Sequence, residues 1–249
     1  MNTNFIILGP PRSGSSWFAG EFAKEDDILM SGCKDDNYEA FNSINAIPMS
    51  NILKTNAFNH QNIVDCYLNY KQETGKKYLG FKSFPTWHFD LRKLLTDNNF
   101  KIILLLRKSF LKTLGSLSIA YREENFLSSS IAAEKLDFEN NPIFYRHFYL
   151  MINSVTNSIY ASENWISENP NLLTKIYFED LIKTKNYTND NINEFLQREK
   201  YFITNYEDRP WEEYFLEPDK VKKFVKKLFE DNPYHYKALP DYVLDEVLS

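Results

Sequence analysis

Along this chain, short apolar runs alternate with segments whose apolar positions recur every three or four residues. Four runs have strand length: Phe5–Leu8, Lys77–Lys82, Lys101–Leu106 and Leu173–Phe178. The stretch Ile102-Ile103-Leu104-Leu105-Leu106 is apolar without a break, as expected of a central strand covered on both faces. Helical spacing predicts helices over Ser16–Ala23, His60–Thr74, Phe89–Asn98, Phe110–Glu124, Ile143–Ser167, Asp190–Arg198 and Pro218–Asp231. In the last of these, Val221, Phe224, Val225 and Leu228 form an inward face, and the lysines between Lys220 and Lys227 form the solvated one. Loops are expected around Asp35–Ser50, Ser128–Pro142 and Tyr201–Pro210, and the stretch Leu127–Asn141 has the length of a lid. Strand and helix signals in alternation predict an α/β fold with a parallel sheet flanked by helices. With no repeat and no break in composition, one domain over residues 1–249 is expected.

Composition narrows the function classes. Hydrophobic residues make up 43% of the chain, enough for a sizeable core, and the formal net charge is -5. That balance argues against a broad basic face for nucleic acid. No apolar run approaches the length of a membrane span. The first strand starts at Phe5 with no charged segment before it, so no leader is expected and a cytoplasmic location is. Cys33 and Cys66 show no metal spacing and read as free thiols, and the four histidines are scattered, so no metal site is expected.

The chemistry is concentrated at the start. Phe5-Ile6-Ile7-Leu8 leads into Gly9-Pro10-Pro11-Arg12-Ser13-Gly14-Ser15-Ser16-Trp17, a tight loop that opens a helix. Such a loop cradles an anion, because successive backbone N–H groups and the helix N-terminus offer partial positive charge. Only seven glycines occur in the chain, and two of them, Gly9 and Gly14, fall in this loop. The ATP and GTP version of the cradle, G-x-x-x-x-G-K-[ST], demands Lys where this chain has Ser15. The cation stands instead at Arg12. A second cation, Arg107, ends the central strand in Leu105-Leu106-Arg107-Lys108-Ser109, on the edge where open α/β sheets bind ligands. Its guanidinium can grip a phosphate with two parallel hydrogen bonds.

The loop Pro11-Arg12-Ser13-Gly14-Ser15-Ser16-Trp17 resembles the 5′-phosphosulfate loop of the sulfotransferases that use 3′-phosphoadenosine 5′-phosphosulfate (PAPS). The stretch from Arg107 resembles their 3′-phosphate motif, a strand ending in Arg followed by a helix carrying a phosphate-binding Ser. The family spaces Arg and Ser eight apart. Here that position is Gly115, with Ser116 one further on, so Ser116 and Thr113 are both candidates for the contact. The late segment Tyr177-Phe178-Glu179-Asp180-Leu181 looks like the family's strand ending in Y-E-D-L, and its aromatic is a candidate to stack on adenine or wall its pocket. The tail lacks the glycine-rich G-x-x-G-x-W-K segment of the cytosolic members, and its aromatics (Trp211, Tyr214, Phe215, Tyr234, Tyr236) suit either a pocket or packing.

In style the motifs are nearest to the bacterial carbohydrate and tyrosylprotein sulfotransferases. The resemblance implies a P-loop-like α/β fold and transfer of a sulfuryl group from PAPS to a hydroxyl or amine. The acceptor would be a carbohydrate, small molecule or peptide, and the product adenosine 3′,5′-bisphosphate. It implies that Arg12, Ser13, Gly14, Ser15, Ser16 and Trp17 hold the 5′ side, and that Arg107 and Ser116 hold the 3′-phosphate. Gly80-Phe81-Lys82-Ser83-Phe84-Pro85 resembles the segment that supplies a histidine base in cytosolic members, but Phe84 stands in that place. Glu39, in Glu39-Ala40-Phe41, matches the carboxylate base of other members, with Asp36 and His88 in reserve. Lys82 is the candidate to stabilise charge on the leaving group. Two rivals stand beside this reading: a P-loop kinase or nucleotide hydrolase, and a non-catalytic nucleotide-binding protein that kept the cradle.

Overall fold

The computed structural model describes residues 4–31, 60–84, 98–122, 135–137, 142–166, 169, 171–205 and 209–249. Five parallel strands form the central sheet: β1 (Asn4–Leu8), β2 (Ile28–Met30), β3 (Tyr78–Ser83), β4 (Lys101–Leu106) and β5 (Leu172–Tyr177), in the order β2-β3-β1-β4-β5. The chain lays β2 and β3 to one side of β1, and β4 and β5 to the other. Strand order therefore reverses beside β1, and the carboxyl ends of β1 and β4 lie next to each other, with Leu8 opposite Leu104. Open sheets bind ligands at such a reversal.

Alternation along the strands sorts side chains onto two faces. Phe5, Ile7, Ile103, Leu105 and Ile176 join one core with Phe18 and Phe22 of helix α1 (Ser15–Ala23). Ile6, Leu8, Leu79, Phe81, Ile102, Leu104 and Leu106 join the other with Ile63, Val64 and Tyr67 of α2 (His60–Glu73). Burial on both faces is why β4 could be continuously apolar.

A third core is helical. It gathers α3 (Phe110–Arg122), α4 (Pro142–Ile166) and the later helices α7 (Pro218–Asp231), α8 (Pro233–Tyr236) and α9 (Asp241–Leu248). Every residue of α3 from Phe110 to Ala120 is buried, so even its polar positions are surrounded by protein. On α7, Val221, Val225 and Phe229 are buried while the lysines stay outside, the face expected from its spacing. Between β5 and α7 lie α5 (Phe178–Thr184), α6 (Asp190–Leu196) and the two-residue strands β6 (Asn186–Tyr187) and β7 (Phe202–Ile203), which pair antiparallel.

Each strand and helix expected from the sequence is present within a residue or two, save Phe89–Asn98, which lies outside the described residues except at Asn98. Among the described residues, β2, α5, β6, β7, α8 and α9 add to that reading. All but α9 have seven residues or fewer, and α9 has only eight, with Val243 and Val247 buried four apart behind Pro240. Of the lid-length loop, residues 135–137 are described and pinned: Leu136 N–H donates to Tyr214 O (2.9 Å), and Leu216 N–H donates to Leu136 O (3.0 Å). Of the tail aromatics, Tyr214, Phe215 and Tyr236 are buried in the helical core and Trp211 packs against it, while Tyr234 is 98% exposed.

Candidate functional site

The loop after β1 is built by its own sequence. Ser13 N–H donates to Pro10 O (3.2 Å), closing a turn in which Pro11 sets one central dihedral and Arg12 takes the other at φ 64°. That left-handed conformation costs a residue with a Cβ about 1–2 kcal/mol, and here it falls on the loop's one cation. Gly9 is required by close approach, since a Cβ there would stand 2.6 Å from Leu105 O and 2.5 Å from Ser13 Oγ. Gly14 is required twice over. It starts α1 at φ 87°, and a Cβ on it would enter the ring of Phe178 at 2.4 Å. The N-cap, Gly14, makes no side-chain cap bond, and the first N–H groups of a helix have no partner within it.

The neighbouring strands bring two long side chains, Lys82 and Arg107, to this loop, which supplies Arg12 itself. Lys82, at the end of β3 and paired with Ile7, is 1% exposed, and its Nζ donates to Ser16 Oγ (2.9 Å) beside the ring of Phe84. Arg12 Nε donates to Ser116 Oγ (3.0 Å), which ties the first loop to α3. Arg107, 8% exposed, lays its guanidinium 4.8 Å over the Phe178 ring. Its Nε and Nη1 are buried with no hydrogen-bond partner among the described residues, and so is the hydroxyl of Ser13. Burying a guanidinium without hydrogen bonds is costly unless an acceptor joins it, and an anion is the acceptor that fits.

Phe178 joins the two halves. Its edge abuts Gly14, the indole of Trp17 meets it edge-on at 5.9 Å, and its face carries Arg107. At 4% exposure it offers no open face for a base to stack on, so its part is that of a wedge between the loop and Arg107.

Ser116 and Thr113 differ in their contacts. Thr113 Oγ1 donates to Ser109 O (3.0 Å) inside its own helix, whereas Ser116 Oγ meets Arg12. The glycine that displaces the expected serine also has a cause: a Cβ on Gly115 would lie 2.7 Å from Tyr214 Cβ. Glu39, Asp36 and His88 lie outside the described residues.

No protein-family model matches the sequence, and no curated protein matches it. Solved structures do. Mouse sulfotransferase SULT7A1 complexed with PAP is similar at 14% identity, with 93% of this chain and 84% of that one covered and a TM-score of 0.47. The sulfotransferase from Alicyclobacillus acidocaldarius is similar at 13% identity over 96% of this chain and 95% of that one, with a TM-score of 0.50. At such identity the latter likeness speaks for architecture. Together with the strand order and the capless loop after β1, it gives this chain the sulfotransferase fold, a parallel α/β sheet flanked by helices.

Proposed function

We propose that the protein is a PAPS-dependent sulfotransferase acting on a hydroxyl or amine acceptor in the cytoplasm. One observation carries the reading: a buried Arg107 guanidinium with two unpartnered nitrogens shares the wedge Phe178 with the uncapped start of α1. Two groups of unpartnered donors on either side of one ring suit a nucleotide bearing phosphates at both its 3′ and 5′ positions. The fit extends to charge, since Arg12, Lys82 and Arg107 bring three cations to the site.

Bound PAPS would supply an electrophilic sulfur joined to a phosphate leaving group. In this reading the Ser13 hydroxyl and the amides of Gly14, Ser15 and Ser16, walled by Trp17, hold the 5′ side with Arg12. Lys82, fixed on Ser16, places positive charge where the leaving phosphate gains its negative one. Arg107 and Ser116 hold the 3′-phosphate, and Glu39 takes the proton from the acceptor. The acceptor itself is proposed only as a class: a carbohydrate, small molecule or peptide.

Calorimetric titration with adenosine 3′,5′-bisphosphate, and separately with ATP and Mg²⁺, tests this. Micromolar binding of the bisphosphate and weak binding of ATP are expected, and a preference for ATP would overturn the reading. Arg107→Ala removes charge-assisted hydrogen bonds of about 1.5–3 kcal/mol, which is roughly 10- to 150-fold in bisphosphate affinity. Glu39→Ala is expected to leave that affinity alone and to lower turnover by about 10²–10⁴-fold; full activity in that variant would remove Glu39 from the mechanism.

A further inference from the structure

Glu246 has no part in the chemistry above, yet it is joined to the site's framework. It stands on α9, the last helix, and its carboxylate accepts hydrogen bonds from Ser109 Oγ and from the backbone N–H groups of Phe110 and Leu111, the last at 3.2 Å. These residues begin α3, the helix that follows Arg107 and carries Ser116. The first N–H groups of a helix have no partner within it, and a negative charge there also meets the positive end of the helix dipole. Ser109 covers one amide itself, accepting from Lys112 N–H (3.1 Å). Glu246 covers two more, from 136 and 135 residues away.

The remainder of the turn is held as firmly. Lys108 N–H donates to Glu179 Oε2 (2.9 Å), at the start of α5 next to Phe178. One turn before Glu246, Tyr242 meets Tyr177 of β5 edge-on at 5.8 Å, while Val243 and Val247 are buried in the helical core. One side of α9 is thus committed to the junction between β4, β5 and α3.

We infer that Glu246 is a positioning residue for the anion site at Arg107. By holding the first turn of α3, it sets the strand-end geometry from which Arg107 projects and the helix phase that aims Ser116 at Arg12. It also fills the N-terminus of α3 with the chain's own carboxylate. A ligand phosphate is then met by the Arg107 side chain instead of by the amides of that helix. This inference rests on reading Arg107 and Ser116 as the 3′-phosphate partners.

The test is titration of the full chain, wild type, Glu246→Gln and Glu246→Ala, with adenosine 3′,5′-bisphosphate and with adenosine 5′-monophosphate. Gln keeps the shape and one acceptor oxygen, so it reads the effect even if Ala does not fold. The ratio of bisphosphate to monophosphate affinity is expected to fall about 3-fold in Gln and about 10-fold in Ala, with monophosphate affinity unchanged. A ratio that stays constant while both ligands weaken would make Glu246 merely structural and overturn the inference. So would a ratio that rises, which would mean that the carboxylate repels the phosphate more than it positions Arg107. A wild type that does not prefer the bisphosphate would defeat the reading of Arg107 itself, and this inference with it.

Discussion

Gly115 shows how a single atom decides between propensity and packing. In an exposed helix, Gly→Ala gains up to about 1 kcal/mol. At this position the added Cβ would stand 2.7 Å from Tyr214 Cβ and 3.2 Å from the Phe215 ring, inside the helical core. Overpacking of that kind costs typically 1–3 kcal/mol, so the steric loss wins and Gly115→Ala is expected to destabilise the protein. A urea melt checks it: a midpoint equal to or above that of the wild type would show that Tyr214 can move aside. The same contact accounts for the serine being displaced by one place, to Ser116. That contact is invisible along the chain because Tyr214 follows 99 residues later. Arg12 and Arg107 were legible for the opposite reason, since each is framed by its immediate neighbours, a Gly/Pro turn in one case and a strand end in the other.

Among elements, legibility followed length and the number of faces buried. β4 and α7 carry unambiguous patterns, because one is covered on both faces and the other is amphipathic over fourteen residues. β2 has three residues and too short a run to show a period. Phe178 illustrates a boundary effect. Its apolar run reads as the end of a strand, but it opens α5, with Glu179 and Asp180 in the favourable first turn. As the first residue of α5, its ring lies against Gly14 and Arg107. α9 is the element whose consequence exceeds its signal, for its eight residues bring Glu246 to the start of α3.

At the scale of the whole molecule, distant segments are fastened by charge as well as by apolar burial. Asp27, before β2, accepts two hydrogen bonds from Arg198, after α6, and Glu25 pairs with both Arg198 and Lys200. Arg198 holds the Asp27 carboxyl below its ordinary value of 3.8. A depressed carboxyl contributes stability that is complete above its unfolded value and lost as pH falls through the folded one. Asp27→Asn is therefore expected to lower stability at pH 7 by about 0.5–1 kcal/mol, as for partly exposed pairs. The gap to wild type should close as pH drops below 3.8. Urea melts of both proteins from pH 7 downward measure it, and a gap that is constant across that range would show that the charge is not responsible.

By itself the sequence determined the alternation of strands and helices, the cradle after β1 and the cation at the end of β4. Each of these is written in consecutive residues, through hydrophobic period, turn chemistry or a glycine requirement. Only the tertiary structure decided that Ser116 and not Thr113 faces Arg12, that Phe178 lies between Gly14 and Arg107, and that Glu246 caps α3. These depend on helix phase and on contacts between residues 71 to 164 positions apart in the sequence, which packing alone brings within reach.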